Sequence, residues 1–266
     1  MKKILVTLLV LLLVVGCGSS ESERETLKVS CTLDPHSKIL EFVKPLLAEE
    51  GIDLEIQILD NYSIFNQALD AGEVDANYFQ HVPFFENEVK EYGYDLANVA
   101  GVHIEPFGFY SKTLSDVSEL AENANIIITN SVADQGRVLT ILAKAGIIEL
   151  SADPLSATLD DITANPLNVS FTEIAPELLV TAYDNQEGDL VAINGNYALA
   201  AGLNPVEDAV ILEQADADNP YVNIIAVQSS RANEEKIQKF LEIIKSEAVK
   251  NFISETYGDG SVIPAE

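Results

Sequence analysis

From residue 27 onward, short apolar runs alternate with helical patterns. Leu27-Lys28-Val29-Ser30-Cys31-Thr32-Leu33 sets an apolar side chain at every second position, the period of a first strand. Residues 36–50 then carry Ile39, Leu40, Phe42, Val43, Leu46 and Leu47 on one helical face and stop at Gly51, after which 53–59 alternates again. The unit is strand, helix, strand, the layering of an α/β fold. A helix over 63–70 runs into a turn at Gly72, another is predicted over 84–91, and apolar runs follow at 99–104 and 107–111. From Leu114 a second set begins: a strand over 125–129, a helix over 133–145 closed by Gly146, a strand at 168–171, a helix near 177–183 and a strand over 189–193. A further strand is expected over 221–227, and 234–253 reads as an amphipathic helix broken near Ser246. With no internal repeat and no long linker, the pattern predicts two α/β lobes joined by several crossings.

One stretch does not fit that alternation. Asp75-Ala76-Asn77-Tyr78-Phe79-Gln80-His81-Val82-Pro83-Phe84-Phe85 crowds amides, an imidazole and four aromatic rings into a segment that resembles neither a core strand nor a solvated loop. Rings offer broad apolar contact, while Asn77, Gln80 and His81 offer directional hydrogen bonds, so the stretch is read as the wall of a small-molecule pocket.

The N-terminus changes the picture of where the chain works. Lys2 and Lys3 precede an apolar run from Ile4 to Val15 that is short for a membrane span, and Gly16 precedes Cys17, so residues 1–16 read as an export signal. Gly18-Ser19-Ser20 and the polar residues up to 26 make a flexible tether. With Cys17 at the signal boundary, Cys31 is left without a partner and is expected to be a buried, inert thiol. The formal charge of −28, from 43 acidic against 15 basic residues, repels nucleic acid and anionic headgroups and excludes both as partners. An apolar content of 47% argues for packed cores rather than disorder.

Ligands of open α/β sheets gather outside the carboxyl ends of strands. Three segments are predicted there: Thr129 to Arg137, Asn194-Gly195-Asn196-Tyr197, and Asn219-Pro220-Tyr221-Val222-Asn223. Arg137, placed in the first helical turn where an acid is preferred, is one of few bases and its planar fork suits a carboxylate. Catalytic motifs are lacking: no Gly-x-Ser-x-Gly, no phosphate loop, no His-Glu-x-x-His. His36, His81 and His103 are dispersed, and their spacing does not resemble a closed set of metal ligands, so neither metal nor cofactor is expected.

These segments, taken in order, resemble the methionine-binding lipoproteins of bacterial ABC importers, also called NlpA lipoproteins. The resemblance rests on Gly51-Ile52-Asp53-Leu54-Glu55, on the run from Leu69 to Pro83, on Val102-His103-Ile104-Glu105-Pro106, Gly136-Arg137 and Lys144 to Ile148, and on Ile193 to Ala198 and Pro220 to Asn223. It implies a type II periplasmic-binding-protein fold: two α/β lobes with a hinge and an interlobe ligand cleft, lobe 1 spanning 27–109 plus 227–266 and lobe 2 spanning 110–226. It implies a non-enzymatic lipoprotein, anchored through lipid (palmitate) on Cys17, facing the periplasm or the cell exterior, which hands an amino acid to a permease and its ATPase. Carried over by residue, Tyr62, Phe79, His81 and Phe84 would surround the ligand side chain, Arg137 would take the α-carboxylate, and Asn194 and Asn223 would bind the amino-acid head. The sequence departs from the family pattern at 129–134, where Asp134 stands near Arg137, and at 177–180. A methionine-containing dipeptide or another small amino acid is the alternative ligand. Other readings are a metal carrier using the three histidines, a tethered enzyme using Cys31 and His81, and a surface adhesin.

Overall fold

The computed structural model describes residues 24–151, 155–215 and 219–265. The signal segment, Cys17 and most of the tether lie outside the described residues. The tether's last three residues do not: after Arg24, β1 already begins at Glu25 (Glu25–Cys31), paired in parallel with β2 (Ile52–Ile58). Between these strands α1 (Lys38–Glu49) buries Ile39, Leu40, Val43 and Leu47 against Leu27, Val29 and Cys31 of β1. The apolar spacing of three and four in the helix meets the spacing of two in the strand. A helical turn at Tyr62–Ile64 and α2 (Phe65–Asp70) lead into β3 (Ala76–His81), α3 (Val82–Tyr92) and β4 (Leu96–Ile104).

The chain then crosses into a second sheet. There β5 (Gly108–Tyr110), β6 (Asn125–Thr129), α4 (Val132–Lys144), the small hairpin β7 (Glu149–Leu150) and β8 (Ile162–Ala164), and β9 (Ser170–Ile174) follow one another. Next come α5 (Leu179–Asp184), β10 (Leu190–Ile193), α6 (Gly195–Ala200), α7 (Pro205–Asp208) and β11 (Ile211–Leu212). A return crossing delivers β12 (Val222–Gln228), then α8 (Glu235–Ile244), α9 (Glu247–Thr256) and β13 (Ile263–Pro264). The first sheet has strand order β13-β4-β12-β3-β1-β2 and the second β11-β5-β10-β6-β9. Each packs its own helices: Val29, Tyr78, Ile225 and Phe240 centre one core, and Phe109, Ile126, Leu139 and Leu190 centre the other. Ser246 caps α9 with its side chain, which explains the break expected there.

Three expectations are corrected. Residues 76–81 of the ring-rich stretch are a core strand after all, every residue of β3 buried between β12 and β1, while 82–85 open α3. Tyr78 turns into the first core and Phe79 to the opposite side, because a strand alternates faces. The lobe boundaries also shift, since β5 joins the second sheet from Gly108 and β12 returns to the first at Val222, five residues before 227. Finally, Arg137 is the sixth residue of α4, in its second turn, and it is Asp134 that occupies the first turn, where a negative charge suits the helix dipole.

Candidate ligand-binding site

A cleft lies where the two sheets face each other, lined by Tyr62, Phe79, His81 and Phe84 on the first-lobe side and by Asp134, Arg137 and Asn194 on the other. Asn223, from β12, lines it too, so the seven residues that the resemblance carries over, Tyr62, Phe79, His81, Phe84, Arg137, Asn194 and Asn223, line one space together with Asp134. Gln80, Glu105, Gly195 and Asn196 line it too.

The first-lobe wall is built by packing. Phe79 stacks on Phe65 with ring centroids 4.0 Å apart, and Tyr62 and Phe84 meet Phe79 at 5.7 Å, Phe84 edge-on. His81 ends β3 and caps α3, its Nδ1 accepting from the Phe84 N–H at 3.2 Å. The proton therefore sits on Nε2, which donates to Asp134 Oδ1 at 2.9 Å across the cleft. Asn77 and Gln80, expected to address a ligand, are instead tied to Asn66 and to each other by four amide hydrogen bonds of 2.8–3.0 Å.

The second-lobe wall is built from charge and helix ends. Burial alone would push the Asp134 carboxyl up, but His81 beside it and the Arg137 guanidinium hold it below the usual range. Its second oxygen, Oδ2, has no hydrogen-bond partner, and neither does Asn194 Oδ1. Asn194 stands at the N-cap of α6 without making a capping bond. Gly195 lets α6 approach Glu105, since a Cβ there would meet the Glu105 side chain at 2.7 Å.

Arg137 is already engaged by groups of the protein itself. Its Nε and Nη2 donate to Glu213 at 3.0 and 2.5 Å, and Nη2 also donates to the Glu105 carbonyl at 2.7 Å. Its guanidinium carbon lies 4.2 Å from the centre of the Tyr221 ring. Glu105 belongs to the outward crossing between sheets and Glu213 to the return, and Glu213 Oε2 accepts from the Phe107 N–H at 3.0 Å. Arg137 thus ties α4 to both crossings, a part that nothing in the local pattern around Glu213 announces.

The histidines are less dispersed than expected. β12 pairs Asn223 with His81 on one side and His103 on the other. The His36 and His103 rings lie 4.9 Å apart and, with Glu105, offer ligand atoms within 4.8 Å of one another. Each ring nitrogen of that pair has a protein neighbour. His36 meets Thr32 at 2.7 Å and Asn223 at 3.2 Å; His103 meets Tyr78 at 2.5 Å and Glu105 at 2.8 Å. Burial lowers both imidazoles to about 3. Cys31 is fully buried in the first core and burial pushes its thiol up to about 12.

Two α/β lobes, connected by paired crossings and meeting over an aromatic and polar cleft, have the architecture of the two-lobed binding-protein fold. The sequence profile described as NlpA lipoprotein matches residues 27–266, and the chain belongs to that family. The methionine-binding lipoprotein MetQ of Bacillus subtilis is 45% identical over 273 residues, covering 99% of each chain. A nutrient binding protein from Burkholderia cenocepacia, solved bound to methionine, superposes with a TM-score of 0.84 at 31% identity, covering 90% of this chain and 100% of that one. An ABC transporter periplasmic substrate-binding protein from Coxiella burnetii gives 0.83 at 31% identity over the same shares. Among the described residues no helix is long and apolar enough to cross a membrane.

Proposed function

We propose that this lipoprotein captures L-methionine, or a close amino-acid relative, between its lobes and delivers it to an ABC permease and its ATPase. The observation that carries this reading is the single cavity joining an aromatic wall to a charged one, in a chain similar along its length to a protein named for methionine binding. A thioether against ring edges gains ~0.3–1.5 kcal/mol per contact, and Tyr62, Phe79 and Phe84 supply three rings. Asn194 and Asn223 hydrogen-bond the amino-acid head. Arg137 supplies positive charge to the carboxylate end while its fork remains on Glu213. Contacts to both lobes stabilise the closed arrangement, which is how capture drives hinge closure. The role is binding and transfer, not catalysis. A lipid on Cys17 holds the domain at the membrane, on the periplasmic or outer side.

Calorimetric titration of residues 18–266 with L-methionine, after unfolding and refolding to strip co-purified ligand, tests the reading. The expected result is a saturable heat at one site per chain with a Kd between about 1 μM and 1 nM. A flat trace from well-folded protein contradicts it.

A further inference from the structure

The polar wall is lopsided. Two carboxylates, Asp134 and Glu105, and one guanidinium, Arg137, line the cavity, and the guanidinium is already matched from behind by Glu213. Glu105 Oε1 is occupied by His103 at 2.8 Å. Asp134 is only 1% exposed and Asn194 only 6%, yet Asp134 Oδ2 and Asn194 Oδ1 lack any hydrogen-bond partner. A carboxylate oxygen and an amide oxygen can only accept, so each calls for a donor from whatever fills the space. Orphaned acceptors at such depth are rare, since an unmet buried polar atom costs free energy that a donor recovers. First-turn placement and the His81 hydrogen bond account for Asp134 Oδ1 but leave Oδ2 unexplained.

We infer that the cavity recognises its ligand chiefly through a protonated amine, seated against Asp134 Oδ2 and Asn194 Oδ1, with the carboxylate end as the lesser handle. The inference rests on the proposed capture of an amino acid and deepens it. An ammonium brings three donors and a full positive charge to a wall that carries two carboxyl groups, and a charge-assisted hydrogen bond to Asp134 is the strongest contact available there. A carboxylate, by contrast, has to draw on an Arg137 fork that holds Glu213 and the Glu105 carbonyl. The ligand class is therefore a primary amine carrying an apolar side chain, whether a free amino acid or the N-terminal residue of a short peptide.

Three probes separate the two handles: L-methionine, L-methionine amide, which keeps the amine and loses the carboxylate charge, and N-acetyl-L-methionine, which does the reverse. Titrated into the wild-type domain, the amide is expected to bind within about tenfold of L-methionine and the N-acetyl compound more than about 100-fold more weakly. Asp134→Asn keeps an acceptor for His81 while removing the charge, and is expected to weaken L-methionine about 10- to 100-fold without changing the melting temperature by more than a few degrees. An amide that loses more affinity than the N-acetyl compound overturns the inference. So does wild-type affinity for L-methionine in Asp134→Asn, and in either case the capture of methionine stands. A folded wild type that binds none of the three overturns both readings together.

Discussion

The two walls of the cleft are made in different ways. On the first-lobe side, Tyr62, Phe79 and Phe84 are fixed by ring packing on Phe65 and on one another. On the second-lobe side, Asp134 and Arg137 are fixed by polar partners that lie elsewhere: a hydrogen bond from His81 across the cleft, and an ion pair with Glu213 in the return crossing. A ring wall supplies apolar contact that is tolerant of ligand orientation. The charged wall supplies direction, because hydrogen bonds weaken steeply when misaligned. It is also the wall wired to the crossings, so changes there reach hinge geometry and not only affinity.

Acid is the largest lever on this difference, because the buried pair His36 and His103 belongs to the first lobe. His36 and His103 are held neutral by burial, their pKa values lowered to about 3 from 6.5. Below about pH 6.5 the unfolded chain takes up protons that the folded one refuses, so the stability present above that pH falls as pH drops toward 3. Urea melts at pH 7, 6 and 5 should lose about 1.4 kcal/mol per pH unit for each histidine once well below its unfolded value. A flat profile across that range contradicts the buried neutral pair.

Arg137→Ala comes next. It removes three hydrogen bonds and leaves Glu213 largely buried without its cation. Breaking a buried pair costs about 3–5 kcal/mol, and L-methionine affinity should fall by about tenfold or more. Thermal melting and titration of the variant check this, and an unaltered melt would mean that the tie between α4 and the crossings is idle.

Phe79→Ala attacks the other wall. Loss of a stacked, buried ring is worth about 3 kcal/mol of stability, and the affinity loss should be similar for all apolar amino acids, since a ring contact carries no direction. Selectivity that changes sharply in this variant would place the discrimination on the wrong wall. The smallest effect belongs to Tyr62→Phe, which deletes one interlobe hydrogen bond, Tyr62 Oη to Asn196 Oδ1 at 2.5 Å, and should weaken binding by about 0.5–1.5 kcal/mol in titration while leaving the ring wall intact.

The two walls also differ in how well they could be read from sequence. Strands and helices with clean periods, such as β1, α1, β6 and the break at Ser246, followed from the spacing of apolar residues and from capping chemistry. β3 did not, because a central strand buried on both faces has no alternation, and its polar members are satisfied by Asn66, eleven to fourteen residues away. Phe79 and Phe84 lie close together in the chain and stand out as a cluster, whereas Tyr62 enters only through the family resemblance. Glu213, by contrast, reaches Arg137 from 76 residues away and stands in a segment without period or motif. The convergence of His36 with His103 was hidden for the same reason: β12, which joins their neighbourhoods, arrives from residue 222 onward.

Hydrogen-exchange mass spectrometry with and without saturating L-methionine tests most directly whether a ligand is held by both walls at once. The account predicts added protection in two sets of peptides together, those covering residues 76–85 of the ring wall and those covering 130–138 and 193–197 of the charged wall. Protection confined to one set, with the other exchanging as in the free protein, would contradict it.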